Sequence, residues 1–454
     1  MNMQTIDPTT GRKIKSYADL PFSKIDGILE RAMKSSSLWR GLSFQERIPM
    51  MRKAAVLLRT DKDDFARLMA LEMGKPFSQG QGEIEKCALV CEFYAQHAET
   101  FLAKEHIKTE ATKSFVTYDP LGIILAIMPW NFPFWQVFRC AAPALMAGNA
   151  VILKHASNVC GCALAIENIF HRAGFPPSLF SNVFIPGKEV KGLIEHPLIS
   201  AVSLTGSTQA GKSVACVAGS VLKKIVLELG GSDPYIILKD ADLDKAVEIC
   251  INSRLINCGQ SCISAKRFII EGPVFKEFEA KFTVKMQSQR MGPPLDEGIN
   301  LGPMARHDLR DQLHSQVMRS VEQGARRLCG GRIPDELGAF YPPTVLTNVR
   351  PGMAAYQEEL FGPVASLIKA VDETDAVRIA NDTVFGLGSA VFTRDINKAE
   401  YIAQQLQAGS CFVNEAVRSD PRLPFGGIKE SGYGRELAKA GIQEFVNVKT
   451  IYIK

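Results

Sequence analysis

Apolar residues recur every three or four positions between residues 21 and 102, as at Met51, Ala54, Ala55 and Leu58, with charged residues between them. That period matches one buried helical face and predicts a helical segment. Residues 113–118 alternate in polarity and predict a short extended element. After Pro120 the texture changes. Continuous apolar runs at 122–127, 150–153, 182–185, 201–204 and 224–227 alternate with helical patterns at 135–147, 160–172, 190–195 and 208–218. Short strands that are apolar on both faces and separated by helices imply a parallel sheet covered on both sides. Such a sheet takes its ligands at the C-terminal ends of the strands.

A second series of the same kind begins near Asp233-Pro234. It predicts strands at 235–238, 267–270, 364–370, 388–392 and 410–413, with helices at 243–256, 274–289, 305–323, 372–381 and 396–406. The last stretch, 444–453, places Phe445, Val446, Val448, Ile451 and Ile453 in near alternation, as an edge strand able to pair with another subunit would. The fold class is therefore α/β, and no internal repeat or low-complexity stretch interrupts it.

Length and composition narrow the picture. A chain of 454 residues has room for two or three domains of ~150 residues. Its 53 Lys+Arg against 48 Asp+Glu leave a net charge of only +5, spread evenly, which argues against nucleic-acid or membrane-surface partners. The longest apolar run, 121–130, is ~10 residues and too short to span a bilayer. Residues 1–17 are polar and lack the apolar core of a signal peptide. Eleven scattered cysteines then read as reduced thiols in a cytoplasm. Neither Cys87/Cys91 nor Cys160/Cys162 has a paired-histidine partner, so zinc is not expected.

Residues 206–213, Gly-Ser-Thr-Gln-Ala-Gly-Lys-Ser, satisfy the phosphate-loop pattern G-x-x-x-x-G-K-[ST] and lie between a predicted strand and helix. Two features count against nucleotide hydrolysis. The pattern places three strand–helix units before this one, and the nearest acidic strand end, Glu228, runs straight into Leu229-Gly230-Gly231. Backbone N–H groups at a helix start still attract phosphate, so Ser207 is expected near a cofactor pyrophosphate. The usual dinucleotide fingerprint G-x-G-x-x-G is absent here.

Three separated stretches have the composition of one acyl-transfer site. Cys262 follows a Gly259-Gln260 turn, and a thiolate attacks carbonyl carbons well. Glu228 ends an apolar strand, where desolvation raises a carboxylate's pKa toward that of a useful base. Asn131, between Pro129-Trp130 and Phe132-Pro133, presents an amide suited to an oxyanion. Each has a plainer reading: a small buried hydrophobe, a salt-bridge partner, a turn residue.

Together and in this order, these stretches resemble the aldehyde dehydrogenase superfamily, along nearly the whole chain. The resemblance also rests on Glu72-Met73-Gly74-Lys75-Pro76, Lys154, Thr205-Gly206-Ser207, Glu358-Glu359-Leu360-Phe361-Gly362-Pro363, Pro424-Phe425-Gly426-Gly427 and Ser431-Gly432-Tyr433-Gly434-Arg435-Glu436-Leu437. It implies an altered Rossmann-type cofactor domain, an α/β catalytic domain and a small β oligomerisation extension. These map to 1–104 with 120–228, to 229–430, and to 105–119 with 440–454. It implies that Cys262 attacks the aldehyde, Asn131 and the Cys262 N–H hold the oxyanion, and Glu228 activates water. Lys154 and Glu359 would hold the two riboses and Phe361 the nicotinamide end. Trp130, Gly187, Ser207 and Leu229 would complete the cofactor site.

Within the superfamily the chain is most similar to the shorter bacterial succinate-semialdehyde dehydrogenases. Many NAD-preferring members carry Glu where this chain has Ser157, which removes a repulsion toward a 2′-phosphate and favours NADP over NAD. The plainer role for Ser157 is a helix cap. A substrate carboxylate needs a cation, and Arg139, two helical turns past Asn131, is expected to supply it, with Trp135 and Ser419 lining the tunnel; a surface or interdomain ion pair is the other reading of Arg139. Some relatives have a second arginine where this chain has Ile256, and Arg418 or Arg422 would have to compensate. The position two after the nucleophile is Ser264, which leaves Cys258 as the candidate resolving thiol. The resemblance further implies a homodimer or homotetramer.

Overall fold

The computed structural model describes residues 2–335 and 337–454. Four helices, Ile25–Gly41, Phe44–Thr60, Lys62–Met73 and Phe77–Phe101, fill the predicted helical segment. Ser43 and Glu46 form a reciprocal capping box at the start of the second. The first residues, read as a polar lead-in, form a hairpin of strands Asn2–Ile6 and Lys13–Ala18.

The first α/β series builds a six-stranded sheet in the order Gly432–Tyr433, Lys224–Glu228, Ile199–Thr205, Ile123–Met128, Ala150–His155, Phe180–Asn182. All pairs are parallel except the one made by Gly432–Tyr433. Connections from Ile123–Met128 first run to one side of the sheet, and then cross to the other at Ile199–Thr205. Between those two strands lies the switch point, where loops diverge and leave a crevice. One strand differs from expectation. It covers Phe180–Asn182 rather than 182–185, and Val183 adds one more ladder bond, its N–H donating to Leu153 O at 2.8 Å, before Pro186 ends the extended run.

The second series forms a seven-stranded sheet in the order Arg326–Cys329, Thr344–Thr347, Val364–Ala370, Arg267–Glu271, Pro234–Ile237, Gly388–Phe392, Ser410–Val413. Alternate residues feed separate cores, with Tyr235, Ile237, Phe268 and Ile270 on one face and Ile236, Leu238 and Ile269 on the other. The first two strands, short and separated by glycines and Pro342-Pro343, give no period-two signal and are absent from the expected elements.

The C-terminal strand, Val446–Ile453, pairs inside its own chain. It runs antiparallel to Lys113–Pro120 from Val446↔Pro120 to Ile453↔Lys113, and Glu105–His106 joins the far side. Its outer side is one of the two edges of that three-stranded sheet. Among the described residues no helix is long and apolar enough to cross a membrane, and no cluster of His, Cys, Asp and Glu is arranged to hold a metal.

Candidate active site

Helix Leu243–Leu255 delivers the chain into three consecutive left-handed residues, Asn257 (φ 53°), Cys258 (φ 58°) and Gly259 (φ 73°). Non-glycine residues there cost about 1–2 kcal/mol each, so the turn needs support. At Gly259 a Cβ would sit 2.3 Å from the Gly362 backbone, which only glycine avoids. Two buried cations supply the support. Arg254 donates to the carbonyls of Ala265 (2.7 Å) and Gly259 (2.6 Å). Lys266 donates to those of Ser261 (2.8 Å), Cys262 (2.8 Å) and Ser264 (3.2 Å). Cys262 is thus fixed on a pinned loop, half-buried. Cys258 is buried elsewhere, its sulfur accepting the Gly302 N–H at 3.2 Å.

Asn131 follows strand Ile123–Met128 in a turn anchored from behind. Glu83 Oε1 accepts the N–H groups of Phe134 and Trp135, both at 2.9 Å, and so starts helix Trp135–Met146. Lys75 pairs with Glu83 and lies 3.9 Å from the Phe132 ring centroid. His155 Nδ1 accepts the Ala156 N–H (2.9 Å), so Nε2 carries the proton donated to Pro133 O (2.9 Å). Burial holds that imidazole down at about 4, hence neutral. Asn131 Nδ2 donates to Gln260 O at 3.1 Å, and its second proton is uncommitted. Asn257 Nδ2 in turn donates to Asn131 O at 2.6 Å. The amide is tied directly to the cysteine loop.

Glu228 ends its strand beside Gly432. Both carboxyl oxygens are buried without a hydrogen-bond partner among the described residues. Gly426 (φ 155°) makes the room, since a Cβ there would lie 2.8 Å from Glu228 Oε1. Burial, then repulsion from Glu436, pushes the Glu228 pKa well above the carboxylate range. Burial likewise pushes the Cys262 thiol up to about 12, against the pull of Lys266 and Arg139. Burial thus works against ionisation of both groups.

Cys262 stands where two cavities meet. One, about 390 Å³, opens from the switch point and is lined by Trp130, Asn131, Ser207, Leu229, Glu359 and Phe361 among others. Trp130 and Phe361 meet edge-on, centroids 5.8 Å apart. Glu359 accepts the Gly231 N–H (3.0 Å) and faces Lys266 at 3.6 Å. Lys154, Ser157 and Gly187 stand outside this lining. Ser157 is exposed, and its hydroxyl has no hydrogen bond among the described residues. It does not cap helix Cys160–Ala173, whose N-cap position is Val159. Glu72 does that from another helix, accepting the N–H groups of Gly161 (2.9 Å) and Cys162 (3.1 Å).

The phosphate-loop letters have separate duties. Ser207 caps helix Thr208–Ser220 through the Ala210 N–H (3.3 Å). Lys212 is exposed and pairs with Glu430 at 2.8 Å. Gly211 admits Leu229, whose methyls would lie 2.5 Å from any Cβ. A lysine committed outward cannot cradle a phosphate in the crevice.

The second cavity, about 380 Å³, is lined by Lys86, Trp135, Arg139, Arg418 and Ser419 as well as Cys262. Arg139 reaches the lining with its guanidinium already engaged at Nε and Nη2. It forms a buried ion pair with Glu436, donates to Thr205 Oγ1 at 3.2 Å and lies 4.9 Å from the Phe425 ring centroid. The ion pair that the second reading of Arg139 expects is present, as a buried guanidinium without a counter-charge would be costly. Arg422 pairs with Asp420 on the surface and stays out of the lining. No role was expected of Lys266, Arg254 or Lys86, and Glu72 and Glu436 entered only as letters of longer motifs. Each acts on a partner distant in sequence or on backbone carbonyls, and no local spacing signals that.

The sequence pattern of the aldehyde dehydrogenase family matches residues 1–451. A Synechocystis protein named probable succinate-semialdehyde dehydrogenase (NADP+) is 47% identical over 453 residues, 100% of both chains. The succinate-semialdehyde dehydrogenase (NADP+) 1 of Mycobacterium tuberculosis strain H37Rv is 44% identical over 456 residues, again 100% of each. The crystal structure of the Streptococcus pyogenes succinic semialdehyde dehydrogenase in complex with NADP+ superposes with a TM-score of 0.97, at 36% identity and 99% coverage of both chains. With the cysteine loop, the Asn131 turn and the buried Glu228 assembled on this fold, the chain belongs to the aldehyde dehydrogenase family.

Proposed function

We propose that the protein oxidises succinate semialdehyde to succinate, with NADP+ as the preferred cofactor and NAD+ as a poorer one. The observation that carries this reading is the half-buried Cys262 at the junction of two cavities. One cavity ends at a helix N-terminus suited to a pyrophosphate, and the other is lined by cations. Full-length identity of 44–47% to proteins named for this reaction supports it.

The residues fit the cofactor. The unpartnered Ser157 hydroxyl and nearby Lys154 suit a 2′-phosphate, and the Ser207 helix start suits the pyrophosphate. Glu359 and Lys154 would hold the riboses, Trp130, Gly187 and Leu229 would border the dinucleotide, and Phe361 would meet its nicotinamide end. When bound, NADP+ supplies the hydride acceptor. Cys262 Sγ, once deprotonated, forms a bond to the aldehyde carbon, and the spare Asn131 Nδ2 proton with the Cys262 N–H holds the oxyanion. Loss of hydride from that carbon leaves a thioester on Cys262. Glu228, once ionised, takes a proton from water, whose oxygen displaces sulfur and releases the acid. Its glycine-made space and empty hydrogen-bond capacity give a water room to approach.

The six-stranded sheet with the N-terminal helices would form the cofactor domain, the seven-stranded sheet the catalytic domain, and the outer edge of Val446–Ile453 an oligomer contact. NADPH formation tests the reaction. The parent should oxidise succinate semialdehyde more efficiently than glutarate semialdehyde or butanal, and faster with NADP+ than with NAD+. Cys262→Ala should lose at least about 1,000-fold in kcat. Equal efficiency across the three aldehydes, or full activity in Cys262→Ala, would sink the reading.

A further inference from the structure

Three cationic side chains line the cavity opposite the cofactor side of Cys262, and their partners differ. Arg139 is neutralised by Glu436 in a buried pair. Arg418, its side chain 63% exposed, meets Glu415 at 3.3 Å. Lys86 has no such partner. It projects from helix Phe77–Phe101, lies 4.3 Å from the Trp135 ring centroid and donates to Ser419 Oγ at 2.7 Å. Among the described residues no carboxylate comes within ion-pair distance of its ammonium.

An ammonium held by an indole face and one hydroxyl is positioned without being neutralised. Two of its three N–H donors remain unspent, and both Trp135 and Ser419 border the cavity that reaches Cys262. This is the arrangement an incoming anion completes. We propose that Lys86, oriented by Trp135 and Ser419, is the anchor for the substrate carboxylate and selects semialdehydes over uncharged aldehydes, an inference that rests on the semialdehyde reading above. It reassigns to Lys86 the role that sequence spacing gave to Arg139.

Burial, with Arg139 nearby, lowers the Lys86 ammonium to about 8, and a bound carboxylate would raise it again. The charged groups around it are Glu83 on its own helix, Arg139 on the next, and Glu415, Arg418 and Asp420 on the facing loop. Glu83 is already committed to Lys75 and to the start of helix Trp135–Met146.

The test compares kcat/KM for succinate semialdehyde and butanal, with NADP+, in the parent, Lys86→Met and Lys86→Arg. Lys86→Met should lower the succinate semialdehyde-to-butanal ratio about 30-fold, through KM rather than kcat, as loss of a charge-assisted hydrogen bond does. Lys86→Arg should keep most of the ratio. In the parent, KM for succinate semialdehyde should rise above pH about 8 while that for butanal does not, since the anchor loses its charge there. An unchanged ratio in Lys86→Met, equal losses on both substrates, or no such pH split overturns the anchor and leaves Lys86 a prop for Trp135. A parent with no preference for succinate semialdehyde overturns the semialdehyde reading itself, and the anchor with it. The parent measurement alone distinguishes the two failures.

Discussion

The two cavities that meet at Cys262 have nearly the same volume, about 390 and about 380 Å³, yet they are built in different ways. The first opens at the switch point of a parallel sheet. Its walls come from the loops after Met128 and Thr205, and no lysine or arginine lines it. Such a crevice follows from strand order, and a helix N-terminus there presents N–H groups whatever the neighbouring side chains are. The second cavity gathers the N-terminal part of helix Phe77–Phe101, helix Trp135–Met146 and the loop 415–419, and it is lined by three cations and two carboxylates. Its chemistry depends on which charges neutralise each other. A site inherited from topology is generic, whereas a site assembled from remote charges is specific.

The contrast can be broken in three further ways. The largest effect is expected from Arg139→Leu, which strands the Glu436 carboxyl in the interior. Removing one member of a buried pair costs about 3–5 kcal/mol, readable as a lowered urea midpoint, and Arg139→Leu with Glu436→Leu should recover most of it. Surviving activity should fall equally for succinate semialdehyde and butanal. A selective loss for the semialdehyde would return the carboxylate to Arg139.

Next comes the cofactor side. Ser157→Glu places a carboxylate where the 2′-phosphate is expected and should move the NADP+/NAD+ efficiency ratio about 100-fold toward NAD+. A ratio that does not move would remove Ser157 from the cofactor site. The smallest effect belongs to Glu72→Gln. It weakens the remote cap on helix Cys160–Ala173, worth about 1 kcal/mol of stability, and leaves substrate preference alone. Thermal unfolding reads it, and an unchanged midpoint would show that solvent replaces the cap.

Legibility followed the same division. Strands Val364–Ala370, Gly388–Phe392 and Ser410–Val413 were predicted to the residue: the first two are buried and written as near-continuous apolar runs, and the third, a half-buried edge strand, still carries the run Cys411-Phe412-Val413. The N-terminal hairpin, exposed along much of its length, the edge strand Arg326–Cys329 and its buried four-residue neighbour Thr344–Thr347 carry no such run. Among site residues, the positions of Cys262, Asn131 and Glu228 follow from local turn and strand ends. The engagement of Arg139 with Glu436, 297 positions away, does not (436 less 139). Spacing placed Arg139 on the correct wall but gave no account of its partner.

By itself, the sequence determined the α/β class, the order of strands and helices and the candidate cysteine–amide–carboxylate set, since hydrophobic period and turn chemistry act between near neighbours. Only the tertiary structure decided which cations stay charged and available. Burial and Coulomb attraction act through space between residues hundreds of positions apart. That is why the phosphate-loop lysine turns outward to Glu430, Arg139 is spent on Glu436, and Lys86 is left facing the cavity.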